Sequence, residues 1–584
     1  MMRTAFFLIL VGGCVGACNL GAQPAANGSG RGDVRGSGDG AAGGTQVSGV
    51  VTSGVSGQPL ADAGVTLTDV KDGKEAAETA TDAEGRFAFA HVPDGRFALR
   101  ASHRGFVPAA FEEHGGFSTA IVTGAGLDAT GLNFTLEPQA AIYGTVTEDS
   151  GDPVPQARVS LYRKVGGTGR IVRAGMVGAD AMGRFELPHM RAGSYYLCAA
   201  GQPWYRASMG PMLQPRADAA AQQQRSPLDV AYRLSCYPDT TDPNAAEAVE
   251  VGAGDRVAAN LTLHAVPAVH ISVEIPITPG GGRGGMVFPM FAQDVFGTPE
   301  MMQPGPLTIV GGQDGDESSE RTVEMSVAPG EYEVQVATPD GKMGAFTTMN
   351  VTADNASLDL GSMPAMAEVR GTVSMSGGLP SEVSIALRPE QGIGNVSAEV
   401  KQDGSFEIAS VRPGRYRLLL NTSGSGSGAY LFAAEMSASG GKAEGRDVEV
   451  GSDAVTLTVV AAEANTTVSG FAARGGKAAR GVFVVLVPEG ARASGAASDQ
   501  AGDGEDDDGS GGALRADQTD SDGSFVWNHV LPGAYTLVAV EDGWTLDWAQ
   551  PGAMARYLAK GEKVTVPPDA KSIDVKEPVE VQAK

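Results

Sequence analysis

One pattern recurs along this 584-residue chain and restricts the folds that it can adopt. Two glycines stand ten residues apart, and the segment reads G-x-F-x-apolar, then a short turn, then G-x-aromatic-x-apolar. The four glycine pairs are Gly85 and Gly95, Gly183 and Gly193, Gly404 and Gly414, and Gly523 and Gly533. Alternation of period two with one apolar face is typical of β-strands. Each copy therefore predicts strands joined by tight turns.

The turn at the first glycine of each pair has its own signal. An aspartate stands three residues earlier in three copies, as Asp82, Asp180 and Asp520. A short carboxylate accepts hydrogen bonds from its own backbone, and glycine then takes the left-handed conformation that closes the turn. Upstream, a V/I-x-G-x-V opener precedes each copy, and a fifth, degenerate copy lies near 269–337. Openers recur at roughly the spacing of one sandwich domain.

These signals predict an all-β chain, a tandem array of five immunoglobulin-like or prealbumin-like β-sandwiches that fold independently after a signal peptide and a flexible linker. The fifth sandwich carries an acidic loop at 488–517 that we expect to be disordered, and the second carries an insert. The predicted boundaries are 1–18 for the signal peptide, 19–45 for the Gly-rich linker, and 46–137, 138–266, 267–363, 364–464 and 465–584 for the sandwiches.

Several of these stretches resemble the carboxypeptidase-regulatory-like family. The matching segments are QPLADAGVTL at 58–67, TDAEGRFAF and VPDGRFAL in the first sandwich, and DPVPQARVSL at 152–161 and GRFEL in the second. The resemblance implies a prealbumin-like sandwich, a fold that also groups with starch-binding-like domains. It implies an accessory module rather than a catalytic domain, because the motifs are specific for fold and not for activity.

The N-terminus predicts export. One arginine precedes an apolar run too short to span a bilayer as a helix, and Gly16 and Ala17 precede Cys18. This arrangement resembles the lipobox of bacterial lipoproteins and implies lipidation of Cys18, with Cys14 as the alternative. Asn19 follows, which by the same resemblance implies anchoring to the outer membrane, facing the periplasm or the surface. An ordinary cleaved signal peptide is the competing interpretation.

The net charge restricts the possible binding partners, and the cysteine content bears on disulfide bonding. A formal net charge of −26 argues against nucleic acid and against an anionic membrane surface as binding partners. Once the signal cysteines are removed or lipidated, Cys198 and Cys236 are the remaining pair. An oxidising compartment favours a disulfide between them, and two buried free thiols are the alternative.

The sequence predicts no catalytic residue, no metal and no cofactor. HExxH, GxSxG and GxxxxGK[ST] are all absent, and the acidic loop has the wrong residues for an EF-hand. His91, His189 and His529 occupy one equivalent repeat position in three separate sandwiches, so they cannot converge on one metal. We expect them to be turn residues. The chain is therefore predicted not to be an enzyme.

One recurrence suggests a ligand. Eleven residues past the second glycine, three sandwiches carry an aromatic residue, Phe106, Trp204 or Trp544, and Tyr205 and Trp548 lie close by. Flat rings on loops stack on the C–H faces of sugars, so these five residues form a predicted carbohydrate-binding platform. The alternative is that each ring covers the end of its own sandwich core.

The predicted function is thus a non-catalytic, membrane-anchored, extracytoplasmic binding protein with a polysaccharide as ligand. The alternative is an architectural spacer, an adhesion-type lipoprotein, or an accessory subunit that binds an envelope protein through an exposed edge strand or apolar patch. Glycan binding predicts that Trp204 or Trp544 is exposed on the surface, whereas the spacer hypothesis predicts that both are packed.

Overall fold

Short β-strands make up nearly all of the regular structure in the computed structural model, which confirms the predicted tandem array of β-sandwiches. The model describes residues 44–203, 214–215, 229–276, 289–302, 308–310, 320–337, 343–352, 356–359, 366–390, 395–422, 430–489, 515–550 and 552–584. The predicted signal peptide, its Cys14 and Cys18, the linker up to residue 43 and residues 490–514 of the acidic loop lie outside these ranges.

The first sandwich consists of two sheets. Its strands are β1 (Thr45–Ser53), β2 (Gly64–Asp69), β3 (Glu75–Ala80), β4 (Arg86–Val92), β5 (Gly95–Ser102), β6 (Ala109–Ala110), β7 (Ile121–Thr123) and β8 (Ala129–Leu136). One sheet has the order β4-β1-β8, and the other has the order β3-β2-β5-β6 with β7 also on β5. Residues such as Val47, Leu67, Phe97 and Phe134 fill the core between them.

The second sandwich repeats this plan with extra short strands. They are β9 (Ala140–Glu148), β10 (Arg158–Lys164), β11 (Ile171–Gly178), β12 (Arg184–Met190), β13 (Gly193–Ala200), β14 (Gln214–Pro215), β15 (Val230–Tyr232), β16 (Ser235–Cys236), β17 (Val249–Val251), β18 (Arg256–Ala258), β19 (Leu261–Leu263) and β20 (Ala265–Pro267), with a 3-10 turn at Pro243–Ala245. The sheets are β11-β10-β13-β16 with β17 on β13, and β12-β9-β18 with β19 on β9, while β15 pairs with β20.

One sheet of the third sandwich includes a strand from the second sandwich. Its own strands are β21 (Val269–Pro276), β22 (Pro289–Val295), β23 (Thr298–Met302), β24 (Thr308–Val310), β25 (Glu320–Val327), β26 (Gly330–Ala337), β27 (Met343–Val351) and β28 (Ala356–Asp359). The sheets are β23-β22-β26-β27 and β14-β24-β25-β21-β28, so β14 from the insert of the second sandwich extends the sheet of the third.

The fourth sandwich has the sheets β32-β29-β37-β34 and β31-β30-β33-β36-β35. Its strands are β29 (Ala367–Met375), β30 (Val383–Pro389), β31 (Val396–Glu399), β32 (Ser405–Val411), β33 (Gly414–Thr422), β34 (Leu431–Ser439), β35 (Lys442–Glu444), β36 (Asp447–Val450) and β37 (Val455–Glu463).

The fifth sandwich differs because its two layers are joined. Its elements are β38 (Thr466–Arg474), β39 (Lys477–Ala478), β40 (Phe483–Pro488), β41 (Arg515–Gln518), β42 (Ser524–Val530), β43 (Gly533–Val540), a 3-10 turn at Gly543–Thr545, α1 (Ala555–Leu558), β44 (Glu562–Val566), β45 (Ser572–Asp574) and β46 (Val579–Gln582). Strand β46 pairs in parallel with both β38 and β43, which links the strands into one nine-stranded sheet.

In each sandwich the opener strand pairs in parallel with a strand near the end of the same sandwich. The opener glycine permits this pairing, because a Cβ on Gly49 would lie 2.2 Å from the Leu132 carbonyl oxygen, and one on Gly371 would lie 2.0 Å from that of Leu457. The predicted turns form as well. Gly85 has a φ of 72°, and the Arg86 amide donates to the Asp82 carboxylate at 2.8 Å.

A tyrosine two residues after the second glycine locks the closing strand in four sandwiches. Its hydroxyl donates to the backbone carbonyl four residues upstream at 2.7–2.9 Å, like the tyrosine corner of immunoglobulin-type sandwiches. The donor and acceptor pairs are Tyr195 and Arg191, Tyr332 and Ala328, Tyr416 and Arg412, and Tyr535 and Leu531. In the first sandwich Phe97 takes this place and its ring is buried without a hydroxyl.

The sandwiches also contact one another, which the repeat pattern did not predict. Residues Gly44–Lys584 form one compact unit, and the first sandwich contacts the fifth through residues about four hundred positions away in the sequence. The contacts come from the turn residue Asp520 and from side chains on strands, such as Arg96 in β5 and Gln518 in β41. The junction between the first and fifth sandwiches is therefore the candidate functional site.

Candidate functional site

Three of the five aromatic residues of the predicted carbohydrate-binding platform lie in the part of the chain that the structure describes. Phe106 is half-buried, stands edge-on to His103 with ring centroids 5.2 Å apart, and forms an isolated β-bridge with Pro138. Trp544 and Trp548 lie at the junction of the first and fifth sandwiches, as described below. Trp204 and Tyr205 lie outside the described residues.

Trp548 is a core residue of this junction, with 8% of its surface exposed. Its ring lies 5.7 Å from that of Phe483 in β40 and 6.2 Å from that of Phe117 in the first sandwich. Phe117 in turn meets Phe483 edge-on at 5.7 Å. Aromatic pairs at these distances and tilts contribute packing energy beyond the area they bury. The ring of Trp548 is thus used for contact between sandwiches.

Trp544 lies in the 3-10 turn Gly543–Thr545 and stacks on His114 of the first sandwich, with ring centroids 4.1 Å apart and planes at 14°. The Nδ1 atom of His114 lies 3.1 Å from Oε1 of Gln518. The amide nitrogen of Gln518 donates to the Glu112 carbonyl at 2.7 Å and to the Thr119 hydroxyl at 2.8 Å. Because these two acceptors orient the amide, Oε1 must accept, and His114 carries its proton on Nδ1.

The chain next to Gln518 continues the junction with backbone contacts. Ser521 donates its amide to the Ala120 carbonyl at 2.9 Å, and its hydroxyl accepts from the Val122 amide at 2.8 Å. The Thr119 hydroxyl donates to the Thr519 carbonyl at 3.3 Å. Gln518 and Thr519 are fully buried. Buried polar groups with partners on both sides define one relative position of the two surfaces.

An ion pair between Arg96 and Asp520 completes the junction. Arg96 Nε lies 2.6 Å from Asp520 Oδ2, and the Asp520 side chain is only 2% exposed. Burial raises the pKa of the Asp520 carboxyl, and Arg96 counteracts part of that shift. Burial also acts to lower the pKa of the Arg96 guanidinium, but the hydrogen bond and charge of Asp520 raise it on balance.

Asp520 occupies the repeat position of Asp82 and Asp180, but its arginine partner lies in another sandwich. In the first two sandwiches the aspartate binds an arginine four residues later in its own turn, and both members of each pair are exposed. In the fifth sandwich Ser524 stands at that place, and its hydroxyl lies 2.6 Å from Asp522 and 3.2 Å from Asp520, so no arginine of the turn pairs with Asp520. Asp520 is therefore left to bind Arg96 of the first sandwich.

The second sandwich also packs against the fifth. The Ala549 amide donates to the Gly167 carbonyl at 2.7 Å, and the Gln550 side chain donates to the Thr168 carbonyl at 2.5 Å. Gly167 has a φ of 81°, and a Cβ there would lie 2.2 Å from Nε1 of Trp548. Trp548 therefore contacts both the first and the second sandwich. The aromatic recurrence read from the sequence marks a contact between sandwiches at this position.

The three equivalent histidines occupy strand bulges rather than the turns expected from the sequence. His91, His189 and His529 have φ values of 61°, 60° and 57°, and the strand register shifts beside each of them. A left-handed residue accommodates the extra residue of a bulge. Within the described ranges, groups of three or more His, Cys, Asp or Glu side chains suited to a metal are absent.

The predicted disulfide is present in the structure. Cys198 of β13 and Cys236 of β16 are bonded, and they face each other as partners in neighbouring antiparallel strands. Tyr162, Leu234 and, from the third sandwich, Val295 pack around the bond. Among the residues that the structure describes, we find no helix with the length and apolar character needed to cross a bilayer.

The sequence signals for the junction were faint. Loss of the turn arginine at Ser524 is visible in the repeat alignment, and so is a charged residue at Arg96 in the first sandwich. Neither indicates its partner, because the two residues are 424 positions apart. The repeat pattern does not predict the contacts that Gln518 and His114 make.

Comparison with known proteins gave one family match. None of the curated proteins matches this chain. Among solved structures, the Bacillus anthracis TIE protein is 10% identical over 69% of this chain and 69% of its own, with a TM-score of 0.15. GBS52, the minor pilin of Streptococcus agalactiae, is 13% identical over 38% of this chain and 97% of its own, with a TM-score of 0.20. BcpA, the major pilin subunit of Bacillus cereus, is 11% identical over 72% and 99%, with a TM-score of 0.14.

At such low TM-scores the likeness to these structures supports no argument about this chain. The family match is more specific, since it covers the first sandwich. Residues 46–137 match the family described as carboxypeptidase regulatory-like domain, and the resemblance inferred from the sequence is confirmed there.

Proposed function

We propose that this chain is a non-catalytic extracytoplasmic scaffold whose sandwiches are held in one arrangement, rather than a carbohydrate receptor. The observation that carries this proposal is the use of Trp544 and Trp548 as contacts between sandwiches. His114 covers one face of the Trp544 ring, and the Trp548 ring is enclosed in a core. A sugar could not stack on these covered faces. The architectural alternative accounts for this packing.

Location outside the cytoplasm has independent support. The Cys198–Cys236 disulfide suits an oxidising compartment, and the N-terminus has the features of a lipoprotein signal. We infer attachment to the outer membrane through a lipid on Cys18 or Cys14. Mass spectrometry of the mature N-terminal peptide distinguishes the two cysteines, and an unlipidated terminus would refute the anchor.

The two functions predict opposite results in a retention assay. The mature chain would be incubated with insoluble cellulose, chitin, starch and peptidoglycan, and the bound fraction measured. The scaffold proposal predicts no specific retention by the wild type or by Trp544→Ala and Trp204→Ala. Retention of the wild type that is lost in either tryptophan variant would overturn it in favour of carbohydrate binding.

A matched variant separates a sugar platform from a packing contact. His114→Ala removes the residue that covers Trp544 and leaves the tryptophan in place. If the ring served a sugar, this variant would keep or increase retention. If the ring serves the junction, His114→Ala and Trp544→Ala both weaken contact between the first and fifth sandwiches. Faster hydrogen exchange of the Ser521 amide, which donates across the junction, would report that weakening.

A further inference from the structure

Most asparagines of this chain stand in one short motif. Eight of the eleven are followed by serine or threonine two positions later, and the residue between is never proline. This Asn-x-Ser/Thr motif is the acceptor for N-linked glycosylation of exported proteins. The eight are Asn27, Asn133, Asn260, Asn350, Asn355, Asn395, Asn421 and Asn465.

Strand alternation alone does not explain this frequency. Residues two positions apart lie on the same face of a strand, so pairs of polar residues at that spacing are expected on any exposed face. Glutamine carries the same amide group and is subject to the same alternation, which makes it the natural comparison. Of the twenty glutamines, two have serine or threonine two positions later, Gln46 and Gln224. The motif is therefore associated with asparagine, the residue that accepts a glycan.

The structure describes six of the motif asparagines, and all six are exposed. Asn27 and Asn355 lie outside the described residues. In β8, Asn133 and Thr135 are exposed, while Phe134 between them is buried in the core of the first sandwich.

The same arrangement recurs in the third sandwich. Asn350 near the end of β27 and Thr352 just after it are exposed, and Val351 between them is buried. The amide and the hydroxyl of a motif thus lie on one solvent-facing side of an extended chain, where a single enzyme can contact both.

The amide nitrogen of asparagine is the atom that carries an N-linked sugar, and its contacts here leave it accessible. Asn260 accepts the Thr145 amide at 3.0 Å and the Thr145 hydroxyl at 3.1 Å, both on its Oδ1 atom. Neither bond involves its Nδ2 atom. Asn465 does donate from Nδ2, to Glu463 at 2.7 Å, but this bond is exposed and joins residues two positions apart. Water can replace such a bond at little cost.

We propose that the motif asparagines are N-glycosylated in the course of export, by a transferase that takes its glycan from a lipid-linked pyrophosphate donor. The amide nitrogen forms a bond to the anomeric carbon of the first sugar, and the bond from that carbon to the pyrophosphate oxygen breaks. The amide gives up one proton, and the lipid pyrophosphate leaves. The inference rests on the proposed extracytoplasmic location, because the transfer takes place on that side of a membrane.

The positions of the motifs suit a scaffold. A glycan is bulky and hydrophilic, so a folded domain accepts it only where the side chain faces solvent. The six described asparagines meet this condition, and each of the five sandwiches contains at least one of them. N-linked sugars at these positions would place hydrated chains on every sandwich without entering its core.

Peptide mapping of the full chain tests the proposal. The protein is purified from the membranes of the cells that naturally produce it, digested, and sequenced by electron-transfer mass spectrometry, which leaves sugars on their side chains. We expect a glycan mass on the motif asparagines and none on Asn244 and Asn528, which are exposed but lack the motif. Motif peptides without sugar, or sugar confined to serine and threonine hydroxyls, would overturn the proposal.

Substitutions within one motif test its role directly. Asn133→Gln removes the acceptor, whereas Thr135→Val keeps the acceptor and removes the hydroxyl of the motif. Each should abolish the glycan at position 133 and leave the glycan on Asn260 unchanged. Asn528→Gln is the matched control, an exposed asparagine outside any motif, and it should leave every glycan in place. A glycan that persists on Asn133 in Thr135→Val would contradict the proposal.

The two cysteines show whether a failure concerns the glycan or the location. The same peptide map, prepared without reductant, reports the state of Cys198 and Cys236. Unmodified motifs in a chain with the disulfide intact would overturn glycosylation and leave the extracytoplasmic location standing. Unmodified motifs in a chain with two free thiols would overturn both.

Discussion

Replacement of Arg96 by methionine tests whether the junction between the first and fifth sandwiches depends on its buried ion pair. Methionine keeps most of the apolar stem of arginine but removes the charge that faces Asp520, whose side chain is 2% exposed. Breaking a buried pair by removing one partner costs about 3–5 kcal/mol. The lower end applies here, because Arg96 is 25% exposed and the Ser524 hydroxyl still lies 3.2 Å from Asp520.

The expected cost of about 3 kcal/mol corresponds to an opening equilibrium roughly 150-fold larger. The amide of Ser521 reports that opening, since it donates to the Ala120 carbonyl across the junction. Its hydrogen-exchange protection should fall by that factor in Arg96→Met at neutral pH. The deficit should shrink in acid, because the raised pKa of Asp520 lets the carboxyl take up a proton and lose its uncompensated charge.

The matched control is Arg86→Met in the same sandwich. Arg86 pairs with Asp82 at 2.9 Å, but the two side chains are 61% and 44% exposed. An exposed pair of this kind is worth at most about 1 kcal/mol, and its loss should not affect the Ser521 amide. In the double variant Arg96→Met and Asp520→Asn the loss should be smaller than in Arg96→Met alone. A change of less than about threefold in Arg96→Met, or an equal change at acid and neutral pH, would refute the reasoning.

Three further outcomes are expected. Gly167→Ala should lower the thermal midpoint, because its Cβ would collide with the Trp548 ring and alanine is strained at a φ of 81°; differential scanning calorimetry measures it. Tyr535→Phe should cost about 1 kcal/mol in urea unfolding, since a buried carbonyl loses its donor. Replacing Cys198 and Cys236 by alanine should destabilise the second sandwich by about 4 kcal/mol on the chain-entropy model, a loss that denaturation with and without reductant would detect.

Controls for these three outcomes come from the same repeats. Gly151→Ala has a comparable φ of 86° but open space around its Cβ, so it isolates backbone strain from the collision at Gly167. Equal effects of the two substitutions would refute the packing argument. Phe97→Tyr is the control for Tyr535→Phe, since it adds a hydroxyl at the equivalent position of the first sandwich. For the disulfide prediction, reductant should leave the stability of the double cysteine variant unchanged. A reductant effect in that variant would show that the loss had another cause.

The sequence by itself determined the sandwiches. Period-two alternation placed the core residues of each strand, and the glycines at positions such as Gly85 marked turns that need a left-handed residue. These features could be predicted because each depends on neighbours within a few residues. The Cys198–Cys236 bond could be predicted for a different reason, since elimination left one pair.

Only the tertiary structure decided what the outward side chains do. Asp82 and Asp520 occupy the same repeat position, but one binds its own turn and the other binds a guanidinium 424 residues away. The repeat pattern likewise presented Trp544 as a loop aromatic, while the fold stacked it on His114. Local periodicity specifies which face of a strand is buried within its own sandwich. Contact between sandwiches depends on whether two distant surfaces match in shape and charge, and that match is made only when the whole chain has folded.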